Sequence, residues 1–182
     1  EIYVQSLDKA IKSGAIKGIT QFVTTRFGNV LGSNGSVIPL FRKQLEHGGP
    51  LTVTHPDIIR YFMLIPEACK LVLEAGTHGH GGEIFVFDMG EPVKIADLAR
   101  RMIMLSGVTN VDIKFTGLRD GEKLYEEVLG KDEDTKPSFH KKIRIATVRS
   151  YDYADVLKSV EELRATALTY DDMATVQKMK EM

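Results

Sequence analysis

RFGNVLGSNGSVIPLF, residues 26–41, runs from the end of one pattern to the start of another. Before it, TQFVTTR (20–26) is β-branched and aromatic, which predicts a strand. After it, the apolar spacing from Val37 to about Glu46 predicts a helix, closed by His47-Gly48-Gly49-Pro50. Between them lie Gly28, Gly32, Ser33, Gly35 and Ser36. A strand, a Gly/Ser loop and a helix start together suit an anion. The first turn of a helix leaves N–H groups unpaired and carries about half a positive charge. Glycine removes the Cβ that would hold a ligand away from the backbone. Ser36 is a good N-cap residue, and its hydroxyl with the neighbouring N–H groups suits a phosphate oxygen. The same stretch is also compatible with an ordinary capped connection. It is neither G-x-G-x-x-G nor a P-loop, so nucleotide hydrolysis has no support here.

Working outward, strand and helix patterns alternate along the whole chain, which predicts an α/β fold. Residues 1–13 read as an amphipathic helix, 51–54 as a short strand and 58–64 as extended. A helix over 66–76 follows, with Pro66 in its first turn. THGHGG (77–82) reads as a loop and EIFVFDMG (83–90) as a strand. Residues 93–107 make an amphipathic helix ending at Gly107, and 111–117 a strand. GLRDGEKLYEEVLG (117–130) reads as a turn and a short helix, KDEDTKPS as a solvated loop, and 141–149 as a strand or extended segment. The tail predicts two helices. The Met102 and Met104 region is expected in the core. Cys69 is expected as a small buried packing residue.

The 182 residues are 43% hydrophobic and 27% charged with net charge -1, an ordinary globular balance. No basic tract points to nucleic acid. No apolar run reaches the ~20 residues of a membrane span. A lone cysteine excludes an internal disulfide and fits a reducing compartment. His78 and His80 have metal-like spacing but no nearby third ligand, so no metal site is expected. The opening helix has neither cap nor entry loop, so the chain reads as a piece of something longer.

TTRFGNVLGSNGSVIPLF, RYFMLIPEACKLVLEA, GEIFVFDMGEPVKIADLA and GLRDGEKLYEEVL occur in order with family-like spacing. Together they resemble the polysaccharide-biosynthesis branch of the extended short-chain dehydrogenase/reductases. These are nucleotide-sugar 4,6-dehydratases and epimerases, typified by UDP-N-acetylglucosamine 4,6-dehydratases. The resemblance covers roughly residues 1–150. It implies the C-terminal portion of a Rossmann-like fold with the smaller mixed α/β substrate domain. Residues 1–36 would end the NAD(P)-binding domain, and 37–182 would form the UDP-sugar-binding part with a helical tail. The family's Gly-rich dinucleotide loop and its Tyr-x-x-x-Lys are absent, since Tyr3 is followed four residues later by Leu7. No catalytic residue is therefore assigned, and the chain alone is expected to be inactive.

The resemblance also implies roles by position. Phe27 and Gly28 fall where relatives touch NAD or NADP. Asn29 falls where an amide donates to the sugar diphosphate. Ser36 and Val37 open the helix that holds it. Val53 and Thr54 flank the uracil. Arg60 is read from its own apolar setting, IIRYF, which calls for a phosphate or a carboxylate such as Asp57, and here the sequence departs from the better-known epimerases. Arg119 supplies a bidentate fork for phosphate, and Glu122 accepts from ribose hydroxyls. Without the resemblance, Asp120 would simply cap a helix start. The implied reaction oxidises the sugar at C4 with NAD(P)+, loses water across C5–C6, and returns hydride to C6. An epimerase returns it to C4. A deoxysugar-forming reductase and a non-catalytic nucleotide-binding module share the scaffold. The implied partners are a UDP-sugar and further copies of the chain, with no nucleic acid. The implied location is the cytoplasm, with the parent tethered to the inner face of a bacterial membrane.

Overall fold

The computed structural model describes residues 1–127, 129 and 133–182. In chain order the elements are α1 (Ile2–Lys12), β1 (Thr24–Arg26), β2 (Asn29–Val30), α2 (Val37–Glu46), β3 (Leu51–Val53), β4 (Ile59–Arg60), β5 (Phe62–Met63) and α3 (Ile65–His78). They continue with β6 (Ile84–Phe87), β7 (Val93–Lys94), α4 (Ile95–Ser106), β8 (Ile113–Phe115), β9 (Asp134–Pro137), β10 (Ile143–Thr147), α5 (Tyr153–Ala167) and α6 (Asp172–Glu181). One sheet has four strands in the order β1-β6-β10-β9. β1 runs parallel to β6, whereas β10 is antiparallel to both its neighbours. The remaining strands form two-stranded pairs: β2 with β5, β3 with β8, and β4 with β7.

The local rules that shape these elements are visible. α4 stops at Gly107, whose φ of 69° is the left-handed cap that glycine adopts without steric cost. α3 carries Pro66 at its start and Glu67 in its first turn, where a carboxylate suits the helix dipole. β6 is buried on both faces, as an interior strand of a covered sheet should be. Phe85 and Phe87 pack with Ala68, Leu71 and Ala75 of α3. Ile84 and Val86 face the other way, against Ala146 and Leu129. A second core joins Phe41 and Leu45 of α2 to Leu51 and Val53 of β3 and to Ile95 and Ala99 of α4. Each such large side chain contributes roughly 1.5–3 kcal/mol by burial.

Asp8 is buried on α1, where it accepts from Phe22 N at 2.9 Å and pairs with Lys12 at 3.0 Å. Lys12 Nζ in turn donates to Gly81 O, so this clasp ties α1 to the loop that enters β6.

Several expectations change. Residues 20–23 are not strand, since only Thr24–Arg26 align with β6. α3 extends to His78 and absorbs the start of the expected loop. Cys69 is exposed, because the buried stripe of α3 runs through Ala68, Leu71 and Ala75, one position away. Met104 is 73% exposed, because α4 buries Ile95, Ala96 and Ala99 while Met102 packs only partly. Residues 122–127 are not helical. Leu124 O accepts from Ile59 N at 3.2 Å, so strand β4 takes the carbonyl a helix would have used. Val128 and Gly130 of that expected helix lie outside the described residues. So do Lys131 and Asp132 of the acidic run, whose Asp134 opens β9.

Candidate functional site: a cavity at the start of α2

The loop between β2 and α2 turns at Gly32 (φ 77°) and Gly35 (φ 74°). At both, an added Cβ would meet open space, so the left-handed backbone is what requires glycine. Gly28 is different: its missing Cβ makes room for Tyr61 and Met89 at 3.3 Å. Its bareness serves internal packing.

The turn brings Ser36 to the head of α2, beside a cavity of about 780 Å³. Asn29, Ser36, Val37, Val53, Thr54, Arg60, Arg119 and Glu122 all line it. Segments 29–37, 53–60 and 119–122 thus converge on one space. Leu40, Ile58, Phe62 and Ile95 supply apolar wall.

Ser36 occupies the N-cap position with extended backbone, but its hydroxyl makes no cap bond. Its Oγ is buried and has no hydrogen-bond partner among the described residues. A buried hydroxyl left unpaired costs about 1–3 kcal/mol, so a ligand oxygen here would relieve it. Arg119 forms no ion pair among the described residues and only its backbone is engaged, its N–H donating to Glu122 Oε2 at 3.1 Å and its C=O accepting from Glu122 N at 3.0 Å. Glu122 is held from three sides: it also accepts from Thr54 Oγ1 at 3.2 Å and pairs with Arg60 at 3.5 Å. Arg60 therefore finds its carboxylate in Glu122, since Asp57 pairs with Lys94 at 3.3 Å instead. Arg60 further donates to Ile59 O at 2.7 Å, which fixes its fork along the cavity wall. Val53 O accepts from Thr116 N at 3.0 Å, the continuation of the β3–β8 pairing.

Asn29 departs from its expected chemistry. Its Nδ2 donates to Tyr61 O at 3.2 Å and to Glu126 Oε2 at 2.9 Å. The donor assigned to phosphate is already committed inside the protein. Glu126 was not singled out in the sequence. It partners a residue 97 positions away, and no periodic pattern carries that pairing.

Phe27 and Gly28 lie outside the cavity. The Phe27 ring stacks on Phe87 with centroids 5.4 Å apart. Gly28 N–H is directed at Met89 Sδ at 3.3 Å. Neither residue forms a cradle for a dinucleotide.

Arg26 lines a separate cavity of about 400 Å³. It is gripped by Glu1 (2.7 and 2.6 Å) and by Glu133 (2.5 and 3.0 Å). The hydrogen bonds Arg26 donates to Glu1 and then to Glu133 raise its pKa further, and the bond from Arg26 holds the Glu1 carboxyl below its usual range. Among the described residues, no cluster of His, Cys, Asp and Glu could hold a metal, and no helix is long and apolar enough to cross a membrane.

Comparison with known proteins adds four likenesses. A family described as polysaccharide biosynthesis protein matches residues 1–148. The capsular polysaccharide biosynthesis protein CapD of Staphylococcus aureus is 53% identical over 165 residues, which are 90% of this chain and 26% of that protein. A UDP-glucose 4-epimerase of Rickettsia massiliae is 39% identical over 119 residues, 65% of this chain and 34% of that one. The solved structure of Pen from Bacillus thuringiensis superposes with a TM-score of 0.71 at 33% identity, covering 82% of this chain and 45% of that chain. The chain thus spans a minor part, 26% and 34%, of the curated relatives it matches.

Proposed function

This chain belongs to the polysaccharide-biosynthesis branch of the extended short-chain dehydrogenase/reductases, and from that premise we propose that its 780 Å³ cavity binds the UDP of a nucleotide sugar. The whole protein, in this reading, is an NAD(P)-dependent nucleotide-sugar 4,6-dehydratase of polysaccharide or capsule biosynthesis. Residues 1–36 end its dinucleotide domain and 37–182 carry its UDP-sugar site.

One observation carries the reading: an unpartnered buried Ser36 hydroxyl and an arginine without an ion pair among the described residues, Arg119, line the same space at a helix start. Each is a donor, and together with the first-turn N–H groups of α2 they suit a diphosphate. Glu122 suits the ribose. An ionised carboxylate has about four acceptor positions, and three donors hold it in place here. Val53 and Thr54 lie on the wall where the base would rest. The work of this part is anchoring: fixing the nucleotide fixes the sugar relative to the reacting groups. Phe27 and Gly28 are packed internally and do not fit a cofactor by themselves, so no step through NAD(P) is derived from them. The chain alone should give no sugar-nucleotide turnover.

Calorimetric titration with UDP and UDP-N-acetylglucosamine tests the reading. Saturable binding by the wild-type chain that is lost in Arg119→Ala supports it, and no binding by the wild-type chain defeats it. The 4-epimerase alternative draws on the Rickettsia relative, which bears that name. Mass spectrometry of products from the full-length protein separates the two: a dehydratase product lacks one water, and an epimerase product keeps the substrate's mass.

A further inference from the structure

We propose that Gln44 of α2 is a positioning residue for the base of the nucleotide: its side-chain amide clamps Thr52 and so sets where the edge of β3 stands on the cavity wall. The inference rests on the nucleotide-sugar reading above and adds a residue that acts on that site without lining it.

β3 is paired with β8 alone among the described residues. The two run parallel, with Leu51, Thr52 and Val53 opposite Ile113, Lys114 and Phe115. Leu51 N–H donates to Asp112 O, and Val53 O accepts from Thr116 N, so these two residues turn their main chain to β8. Alternate residues of a strand face a given neighbour, and Thr52 and Thr54 therefore turn theirs to the other edge. Thr52 and Thr54 both line the 780 Å³ cavity. A free strand edge is a row of donors and acceptors. It can hold a ligand only as firmly as it is itself held.

Gln44 supplies that hold. Thr52 N–H donates to Gln44 Oε1 at 3.0 Å, and Gln44 Nε2 donates to Thr52 Oγ1 at 2.7 Å. A backbone N–H can only donate, so the amide oxygen must face it, and the nitrogen is left for the hydroxyl. One side chain thus grips one residue twice, at its main chain and at its side chain. The backbone of Gln44 is engaged as well: its C=O accepts from Gly49 N at 2.8 Å, which fixes the turn leading from α2 into β3. Phe41 and Leu45 also hold the helix against Leu51 and Val53, but apolar contact is non-directional and permits sliding. The paired hydrogen bonds do not. α2 carries Ser36 at its head, and β3 leads into Thr54. The clamp therefore sets the offset between the donors assigned to the diphosphate and the edge assigned to the base. Gln44 is not among the residues around the cavity, so its influence on a ligand passes through Thr52.

The test titrates the 182-residue chain with UDP and with inorganic pyrophosphate, which has no base, comparing wild type, Gln44→Met and Gln44→Glu. Methionine keeps the length of the side chain and removes both bonds. Glutamate keeps both, because a carboxylate accepts from the Thr52 N–H and from the Thr52 hydroxyl. Gln44→Met should bind UDP about three- to tenfold more weakly, the range of one net hydrogen bond, and pyrophosphate within about twofold of wild type. Gln44→Glu should hold both ligands within that same margin. General damage to the fold would lower both affinities together, so the ratio of UDP to pyrophosphate affinity is the readout, and its rescue by glutamate ties the effect to the clamp. Should Gln44→Met not fold, Gln44→Ala decides by the same ratio, since alanine is the better helix former. Equal weakening toward both ligands, equal loss in the methionine and glutamate variants, or no change in either overturns this inference and leaves the nucleotide reading standing. Failure of the wild-type chain to bind UDP overturns both.

Discussion

Arg26 and Arg119 both line cavities, yet they are treated in opposite ways. Arg26 is 18% exposed and clasped between Glu1 and Glu133. Arg119 stands at the surface without an ion pair among the described residues. Its hydrogen bonds there are made by the backbone alone. A half-buried guanidinium surrounded by carboxylates has its hydrogen-bonding capacity consumed within the fold, and an incoming anion would find negative charge first. A free guanidinium beside a helix start has its capacity in reserve. Counting arginines near pockets does not reveal a binding site; asking which donors remain unspent does. By the same question Asn29, which lines the 780 Å³ cavity, has its amide N–H groups already engaged by Glu126 and Tyr61.

The comparison can be broken at several levels. The largest effect concerns the scaffold beneath the open site. Phe41, 0% exposed, is the centre of the core that joins α2 to β3 and α4. Phe41→Ala should destabilise the chain by about 3–5 kcal/mol in urea unfolding and take UDP binding with it. Arg119→Ala should instead leave the unfolding midpoint unchanged and weaken UDP about 10- to 100-fold by calorimetry, as for a charged hydrogen bond. An equal loss of stability would place Arg119 with Arg26. Arg26→Ala should show the mirror image: a stability loss of about 1–2 kcal/mol, between the ranges for surface and buried pairs, with UDP affinity within twofold.

A smaller effect should appear with acid. The pKa of Glu1 is lowered in the fold from 4.5 by its bond to Arg26. Its contribution is therefore present above that value and fades as the carboxylate takes up a proton below it. Melting temperature followed downward through pH 4.5 should decline with a component that Glu1→Gln removes. Least of all, Cys69→Ser should alter stability by under about 0.5 kcal/mol, as expected for an exposed helix position.

Much of this was legible from residue order alone. The helix predicted from Val37 to about Glu46 is α2, and Gly107 ends α4 where the stop signal falls. Those features depend on neighbours a few positions apart, and a sequence displays them directly. The lining of the cavity also came through, because a family pattern preserves which segments converge. Hydrogen-bond direction did not come through. Whether Asn29 donates outward, whether Ser36 caps its helix, and which carboxylate serves Arg60 all depend on groups brought together by folding. The segment after Gly121 failed as a helix for the same reason. Its pattern is helical, but Ile59 of β4 competes for the Leu124 carbonyl and wins. Cys69 and Met104 show the remaining kind of error: one step around a helix separates core from solvent.

The position of Cys69 has a practical side. It is the chain's single thiol, it projects from α3 into water, and it is not among the residues around the 780 Å³ cavity. A maleimide dye or nitroxide should therefore attach at one defined place with no engineering, away from that cavity. The wild-type molecule comes equipped with its own reporter for tumbling, self-association and ligand-driven changes in shape.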